Sequence, residues 1–401
     1  ELILGRALMG IGAALIFPAT LAILTNVFRD PSERAKAIGV WSAVSGVAVA
    51  AGPITGGWLL ERFWWGSVFY VNVPVVILAV AATVWLVPES KEHDAPSLDV
   101  PGIGLSIAAI TALVLTIIEA PEWGWTSPAT AAGFVAAATL LAVFVAWELR
   151  TDHPMLPVRI FTNRRVSAAS VSITSAFFAL FGFIFLVTQY FQLIQGYSPF
   201  EAGVRTLPVA FSIAISSIMA PRIVERVGTT RVVVTGLGLM AVAFTWISTV
   251  SATTSYTEIV GQMILLGSGL GLTTAPATES IMGSLSADKA GVGSAVNDTT
   301  RELGGTLGVA VVGSVFSSVY IAALDDSEVV TSLPEEARLL TEESVGAATL
   351  VAPDLGPQAS AYLTEVSDAF ISGFGVACLV VAGVAAAGAL FAGRFLPARS
   401  A

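Results

Sequence analysis

The sequence predicts an all-α polytopic membrane protein, and three observations carry that prediction. Apolar residues make up 55% of the 401 residues, only 12% are charged, and the mean hydropathy is +0.81. Charge is also segregated, because the stretches Ile103 to Ile118 and Thr130 to Trp147 contain no Asp, Glu, Lys or Arg. A helix that crosses a bilayer needs about 20 such residues. Helices satisfy their own backbone groups in lipid, and no alternating strand pattern competes with them.

Apolar runs separated by Pro, Gly and clusters of charge predict eleven membrane spans. The stretch before the last span, about 323–366, is rich in acid and is predicted to be a long external loop. The spans lie near residues 2–27, 34–60, 66–87, 101–120, 128–149, 166–194, 201–222, 230–250, 257–285, 291–322 and 367–396.

The orientation in the membrane follows from Lys and Arg, which accumulate in cytoplasmic loops because their translocation is disfavoured. Alternate loops hold 14 of the 19 basic residues, and we assign these loops and the C-terminus to the cytoplasm. The opposite loops are poor in basic residues and contain Trp64, Trp65, Trp123 and Trp125, which fit an aromatic belt at the outer interface. The 14 residues are Arg29, Arg34, Lys36, Lys91, Arg150, Arg159, Arg164, Arg165, Arg222, Arg226, Arg231, Lys289, Arg394 and Arg399.

The first span carries an arginine, Arg6, followed by the small-residue run from Gly10 to Ala14. An arginine inside a membrane is costly, so it is expected to face a polar interior or a carboxylate. Small residues allow a neighbouring helix to approach closely.

The second span contains Gly52, Pro53, Gly56 and Gly57 among Ala, Val and Ile. Proline removes a backbone hydrogen bond, and the glycines remove side-chain bulk, so the helix can bend and pack tightly. Taken alone, the pattern is equally compatible with a kinked packing helix.

Together these two runs resemble motifs of the major facilitator superfamily. The run from Arg6 to Ala14 is similar to the family's fourth-helix motif, whose arginine lies near the proton pathway. The run from Gly52 to Gly57 is similar to its fifth-helix antiporter motif, which is typical of exporters. Met9 and Ala48 depart from these motifs, which often have Gln and Gly there.

If the first span corresponds to a fourth helix, the resemblance implies that three helices precede it and that the fold has fourteen. Eleven spans with a cytoplasmic C-terminus also place Glu1 outside, which an odd number of preceding helices would explain. The resemblance then implies three segments: a remainder of an N-terminal bundle, 1–90; two linker helices with cytoplasmic loops, 91–160; and a C-terminal six-helix bundle, 161–401.

The tenth span contains the main polar cluster, formed by Asp298, Arg301 and Glu302. Asp298 and Glu302 share a helix face at a spacing of four, and Arg301 neighbours Asp298 at three. Two carboxylates beside one arginine favour protonation of one acid in a low-dielectric setting. We expect the cluster to take part in proton coupling or gating, whereas a static ion pair remains the alternative for each residue. Glu279, in the ninth span, is a second candidate, with an interfacial carboxylate as its alternative.

The sixth span is the expected source of a substrate cavity, because it combines aromatic rings with amides that suit amphipathic or aromatic cargo. Aromatic residues on a lipid-facing helix would look the same in sequence. The candidate residues are Phe177, Phe181, Gln189, Tyr190 and Gln192.

These observations predict a secondary transporter, not an enzyme, that exports small amphipathic or aromatic compounds in exchange for protons by alternating access. Export of an endogenous metabolite, lipid or siderophore on the same fold is the alternative. The sequence has no phosphate-binding loop, and His93 and His153 stand alone in loops, so we expect no metal, no cofactor and no nucleic acid. The expected setting is the plasma membrane, with the protein as a monomer in the lipid bilayer.

Overall fold

The computed structural model describes residues 2–86, 98–285 and 289–397. Every regular element in these ranges is helical, and the ranges contain eleven segments long and apolar enough to cross a membrane. The predicted fold class is therefore confirmed. Glu1, Lys91, His93 and Arg399 lie outside the described residues, as does the proposed boundary at residue 90.

Sixteen α-helices are described, and we number them α1 to α16 along the chain. Their bounds are α1 Leu2–Val27, α2 Pro31–Arg62, α3 Ser67–Tyr70, α4 Asn72–Leu86, α5 Val100–Trp123, α6 Pro128–Glu148, α7 Arg164–Gln189, α8 Pro199–Arg205, α9 Leu207–Val227, α10 Thr229–Ile247, α11 Tyr256–Met282, α12 Ala290–Asp325, α13 Glu328–Thr331, α14 Glu335–Glu343, α15 Val345–Val351 and α16 Ala359–Phe395.

Polar caps fix where several of the long helices begin. Asp30 precedes α2, and its Oδ1 accepts hydrogen bonds from the backbone N–H groups of Ser32 at 2.9 Å and Glu33 at 3.0 Å. Ser127 caps α6 in the same way by accepting from the backbone of Thr130 at 3.2 Å. A proline follows each cap, where its missing N–H costs nothing. These local signals set the helix starts independently of lipid.

Six long helices, α7, α9, α10, α11, α12 and α16, pack around one large apolar core. Successive long helices run in opposite directions, so the starts of α2, α7 and α12 and the ends of α9, α11 and α16 share one end of the bundle. We call it the basic end, because it carries Arg34, Arg165, Arg226 and Arg394. It corresponds to the side that the sequence predicts to be cytoplasmic.

The helix pair α5–α6 docks on α12. The hydroxyl of Ser314 donates to the carbonyl of Ile117, and the indole N–H of Trp125 donates to the hydroxyl of Ser318 at 3.0 Å. Gly124 joins the two helices with a φ of 85°, a conformation that favours glycine.

The N-terminal helices attach to the bundle along two lines. Helix α2 packs on α8, α9 and α11, and α1 packs on α12. The side chains of α4, by contrast, are exposed along its whole length. An apolar helix with no buried face is consistent with contact to lipid or to another helix.

The segment predicted as a long external loop is built of short helices. It comprises α13, α14, α15 and a 3₁₀ turn at Ala352–Gln358, while α12 and α16 extend further than the sequence predicts. Three buried side chains hold it together: the hydroxyl of Tyr320 donates to the carbonyl of Thr341 at 3.0 Å, and the hydroxyls of Thr341 and Tyr362 are 2.7 Å apart. The segment therefore folds over the ends of α12 and α16 that lie opposite the basic end.

Candidate functional site

A cavity of about 380 Å³ lies between the N-terminal helices and the bundle. This volume falls in the range of small-molecule sites. Six helices, α1, α2, α7, α9, α11 and α12, contribute to its wall, and most of the lining is apolar. Arg301 and Glu302 supply the charge. The other lining residues are Phe17, Ser42, Ser45, Gly46, Ala48, Val49, Phe177, Leu180, Phe181, Ile184, Ile213, Leu270 and Thr274.

Arg301 is held between two aromatic rings that come from different parts of the chain. Its guanidinium carbon is 4.4 Å from the ring centre of Trp41 on α2 and 4.8 Å from that of Phe177 on α7. The residue is only 4% exposed, and its Nε has no hydrogen-bond partner among the described residues. Cation–π attraction is strongest for such a desolvated cation. Arg301 therefore links α2 to α7 through its flanking rings.

Asp298 lies one turn from Arg301 but forms no ion pair with it within the described residues. Its Oδ1 accepts a hydrogen bond from the amide of Asn297 at 3.1 Å, and Oδ2 is buried without a partner. Asn297 is held in turn by the hydroxyl of Thr278 at 2.8 Å. Glu302 is exposed on the cavity wall. The three predicted residues thus lie close together on α12, but Arg301 forms no salt bridge with Asp298 or Glu302 among the described residues.

Glu279 forms an ion pair with Arg34 at the basic end. The Nη2 of Arg34 donates to Oε1 of Glu279 at 2.8 Å, and its Nε donates to both carboxylate oxygens at 3.2 Å. The side chains are only 15% and 20% exposed. Because Arg34 belongs to α2 and Glu279 to α11, the pair ties the N-terminal helices to the bundle. The sequence did not predict this partner.

A small apolar cluster lies at the same end as this ion pair. Leu21, Ile38, Met282 and Ala290 come from α1, α2, α11 and α12, and each is at most 3% exposed. The hydroxyl of Ser294 on α12 also donates to the carbonyl of Pro18 on α1. The cluster and the ion pair together close the basic end of the cavity.

Only some of the predicted cavity residues line this space. Phe177 and Phe181 do, whereas Gln189, Tyr190 and Gln192 are not in its wall. The amide of Gln189 donates to the carbonyl of Phe185 in its own helix, and the hydroxyl of Tyr190 donates to the carbonyl of Ser251. Gln189 ends α7, and Tyr190 and Gln192 lie in the helical turn just beyond it, so all three are toward the end of the bundle opposite the basic end.

The glycine–proline run of α2 packs closely on α8, where an added Cβ on Gly203 would clash with the carbonyl of Pro53. A Cβ on Gly57 would clash with the carbonyl of Pro199, at the start of α8, but Cβ atoms on Gly52 and Gly56 would meet open space. Pro53 lies inside an unbroken helix. Arg6 is exposed on α1 and does not line the cavity.

Sequence reasoning missed Trp41 and Arg34 as site residues. A signal was present, because Arg34, Ile38, Trp41 and Ser45 follow a spacing of four, three and four, which places them on one helix face. That face of α2 contributes the ion pair, the apolar cluster, the stack on Arg301 and the cavity wall.

The architecture is that of a polytopic helical membrane protein whose central cavity lies between two sets of helices and is closed at one end. A family model described as "Major Facilitator Superfamily" matches residues 1–309. The chain belongs to the major facilitator superfamily, as its motifs predict.

Several curated proteins are similar to this chain. It is 34% identical to the "Multidrug efflux pump LfrA" of Mycolicibacterium smegmatis over 98% of this chain and 78% of that protein. It is 35% identical to the "Tetracenomycin C resistance and export protein" of Streptomyces glaucescens over 98% and 74%. It is 34% identical to the "Multidrug resistance protein Stp" of Mycobacterium tuberculosis over 80% of this chain, and spans 59% of that protein's length.

Proposed function

We propose that the protein exports small amphipathic or aromatic compounds in exchange for protons, by alternating access of the cavity to the two sides of the membrane. The observation that carries this proposal is the cavity itself, an apolar space with Arg301 and Glu302 on its wall and a closed basic end. Aromatic rings and a few polar groups bind flat apolar cargo without demanding one hydrogen-bond pattern. The names of the relatives, which include multidrug efflux and resistance, support drug-like cargo.

The proton-coupling group is proposed to be Asp298 or Glu302. A carboxylate can couple proton flow to conformation when its proton affinity differs between two states. This role for Asp298 is supported by its buried Oδ2, which has no hydrogen-bond partner among the described residues, and by Arg301, which stacks on rings nearby. When α2 moves away with Trp41, Arg301 is free to reach a carboxylate, which would favour the ionised acid.

The test measures efflux of a fluorescent aromatic dye from membrane vesicles with an imposed proton gradient. Asp298→Asn or Glu302→Gln is expected to abolish gradient-driven efflux, because a neutral amide cannot exchange a proton. Glu122→Gln, an exposed acid near the end of α5, is the matched control and should retain efflux. Full gradient-driven efflux in both site variants would reject these acids as the coupling groups.

Export of an endogenous natural product is the second candidate. The name of the Streptomyces relative couples resistance with export of tetracenomycin C, which supports such a compound as cargo. A transport screen that compares dyes, aromatic natural products, lipids and siderophores in the same vesicles would separate the two candidates.

The proposed setting is the plasma membrane, with the basic end in the cytoplasm and the protein acting as a monomer. The distribution of Lys and Arg supports this orientation, because basic segments remain on the cytoplasmic side. With that orientation, the closed end of the cavity faces the cytoplasm. The division into segments 1–90, 91–160 and 161–401 also stays a proposal.

A further inference from the structure

Two carboxyl groups meet at the basic end of the helix pair α5–α6, in a place separate from the cavity. Asp99 immediately precedes α5, and Glu148 is the last residue of α6. Asp99 is 9% exposed and Glu148 is 3% exposed. Charged groups are buried this far only when they are paired or neutralised.

Asp99 has the hydrogen-bond donors that a carboxylate requires. Its Oδ1 accepts from the indole N–H of Trp147 at 2.9 Å and from the backbone of Gly102 at 3.0 Å, and its Oδ2 accepts from the backbone of Met155 at 3.5 Å. The hydrogen bond from Trp147, followed by the one from Gly102, lowers the pKa of Asp99. Asp99 is therefore the ionised member of the pair.

Glu148 has only one donor. Its Oε2 accepts from the backbone of Leu156 at 3.0 Å, while its Oε1 is buried and receives no hydrogen bond from the described residues. This second oxygen lies beside the carboxyl of Asp99, because both groups approach the same point at Gly102. Both carboxyls crowd over Gly102, where an added Cβ would clash with Oδ2 of Asp99 and lie 2.7 Å from Oε1 of Glu148.

Two carboxyl oxygens can form a hydrogen bond only if one of them carries a proton, since an ionised carboxylate has no donor. Two like charges in one buried site also oppose each other, so the pair holds a proton that neither group would hold alone. Glu148 is the group that carries it, because Asp99 already accepts three hydrogen bonds that its carboxylate form favours.

We infer that Asp99 and Glu148 form a proton-binding site, in which a single proton on Oε1 of Glu148 is donated to Oδ2 of Asp99. The site joins three segments: the start of α5, the end of α6, and the stretch at Met155 and Leu156 that leads into α7. This proton holds the start of α5 and the end of α6 together with the segment that leads into α7. The inference does not depend on the proposed transport activity.

Among residues 2–86, 98–285 and 289–397, no basic side chain forms a salt bridge with either carboxyl. Arg150, Asp152, His153 and Arg159 lie on the connecting segment, and Arg159 donates to the carbonyl of Leu149 at 3.5 Å and not to either carboxyl. Helix α12 packs against α5. In the half of α12 nearer the basic end, the charged side chains are Asp298, Arg301 and Glu302, which lie at the cavity. Glu119 and Glu122 lie near the opposite end of α5.

The site predicts a defined dependence of stability on pH. Unfolding at neutral pH releases the shared proton, because a free glutamate has a pKa of about 4.3. The wild-type protein should therefore lose stability as pH rises above that value, by up to tenfold in the unfolding equilibrium per pH unit. On the acid side, the contribution of Asp99 is present above its free pKa of about 3.9 and is lost as pH falls through its lowered value.

The test is infrared difference spectroscopy of the full chain at neutral pH, wild type minus Glu148→Gln. We expect a C=O stretch of a protonated carboxylic acid in the difference. A second variant, Asp99→Asn, should remove that band, because its amide can donate to Glu148 and allow it to ionise. Glu122→Gln is the control and should change only carboxylate bands.

Unfolding of the same variants in detergent gives an independent readout. Glu148→Gln preserves both hydrogen bonds, since its amide donates to Asp99 and its oxygen accepts from Leu156, so it should fold and lose the pH dependence above pH 5. A difference spectrum with carboxylate bands alone, or an unfolding equilibrium with the same pH dependence in wild type and Glu148→Gln, would overturn the inference.

Discussion

The coupling free energy of the ion pair between Arg34 and Glu279 can be measured directly. Three hydrogen bonds join the two side chains, and both are largely removed from solvent. Hydrogen bonds to charged groups contribute more than neutral ones. We expect a double-mutant cycle with Arg34→Ala and Glu279→Ala to give a coupling of about 2 kcal/mol in thermal or denaturant unfolding.

The chain supplies a matched control for this cycle. Arg338 and Glu342 are also a salt bridge, at 3.3 Å, but they are neighbours on one helix turn, and the arginine is 42% exposed. Exposed pairs of this kind contribute below about 0.5 kcal/mol. If the two cycles give equal coupling, the Arg34–Glu279 pair does not help to close the basic end.

The sequence predicted the identity of the polar residues better than their partners. Asp298, Arg301 and Glu302 were found because charges inside an apolar helix stand out. Spacing along one helix suggested that Arg301 pairs with Asp298, but it stacks on Trp41. That ring comes from another helix, and contacts between distant helices leave no local pattern. The position of Asp99 beside Glu148 likewise depends on how α5 and α6 pack, which the sequence does not show.

Between helices, the glycines of α12 set how closely it approaches α7. A Cβ on Gly304 would clash with the carbonyl of Thr174, and one on Gly308 would clash with the carbonyl of Phe178. These backbone atoms cannot move aside as a flexible side chain would. We expect Gly308→Ala to destabilise the protein by about 1–3 kcal/mol through overpacking, measured by thermal unfolding in detergent.

Gly291 provides the comparison within the same helix. A Cβ there meets nothing within 4 Å, so Gly291→Ala should be neutral or slightly stabilising because alanine favours helix. Equal loss of stability in both variants would mean that helix propensity, and not the α7–α12 contact, decides the outcome.

The number and order of the helices were predictable from the sequence. The helix ends, and the short helices between α12 and α16, were not. Hydrophobic run length predicts a span well because lipid imposes it. The stretch from Asp326 to Gln358 has the acid content of a loop, yet Tyr320, Thr341 and Tyr362 fold it onto the bundle. A few buried hydroxyls among many charges give no periodic signal.

At the scale of the whole molecule, the closed basic end determines from which side of the bundle a small molecule can enter the cavity. The apolar cluster around Ile38 and the Arg34–Glu279 pair lie between the cavity and the basic end. In alternating access, opening one end requires the other end to close. Under the proposed alternating access, the structure therefore corresponds to the state with a sealed basic end.

This state predicts a labelling pattern for a single cysteine placed in the cavity. The native Cys378 is 1% exposed and should not react, so all labelling can be attributed to Ser45→Cys in the cavity wall. A membrane-impermeant maleimide should label Ser45→Cys from the side opposite the basic end and react slowly from the basic side. Arg29→Cys, exposed at the basic end, should show the reverse pattern.

The same label tests the contribution of the ion pair to this closure. Adding Arg34→Ala and Glu279→Ala should raise labelling of Ser45→Cys from the basic side several-fold, because about 2 kcal/mol that stabilises the closed end is lost. Unchanged labelling would mean that the apolar cluster alone seals the cavity.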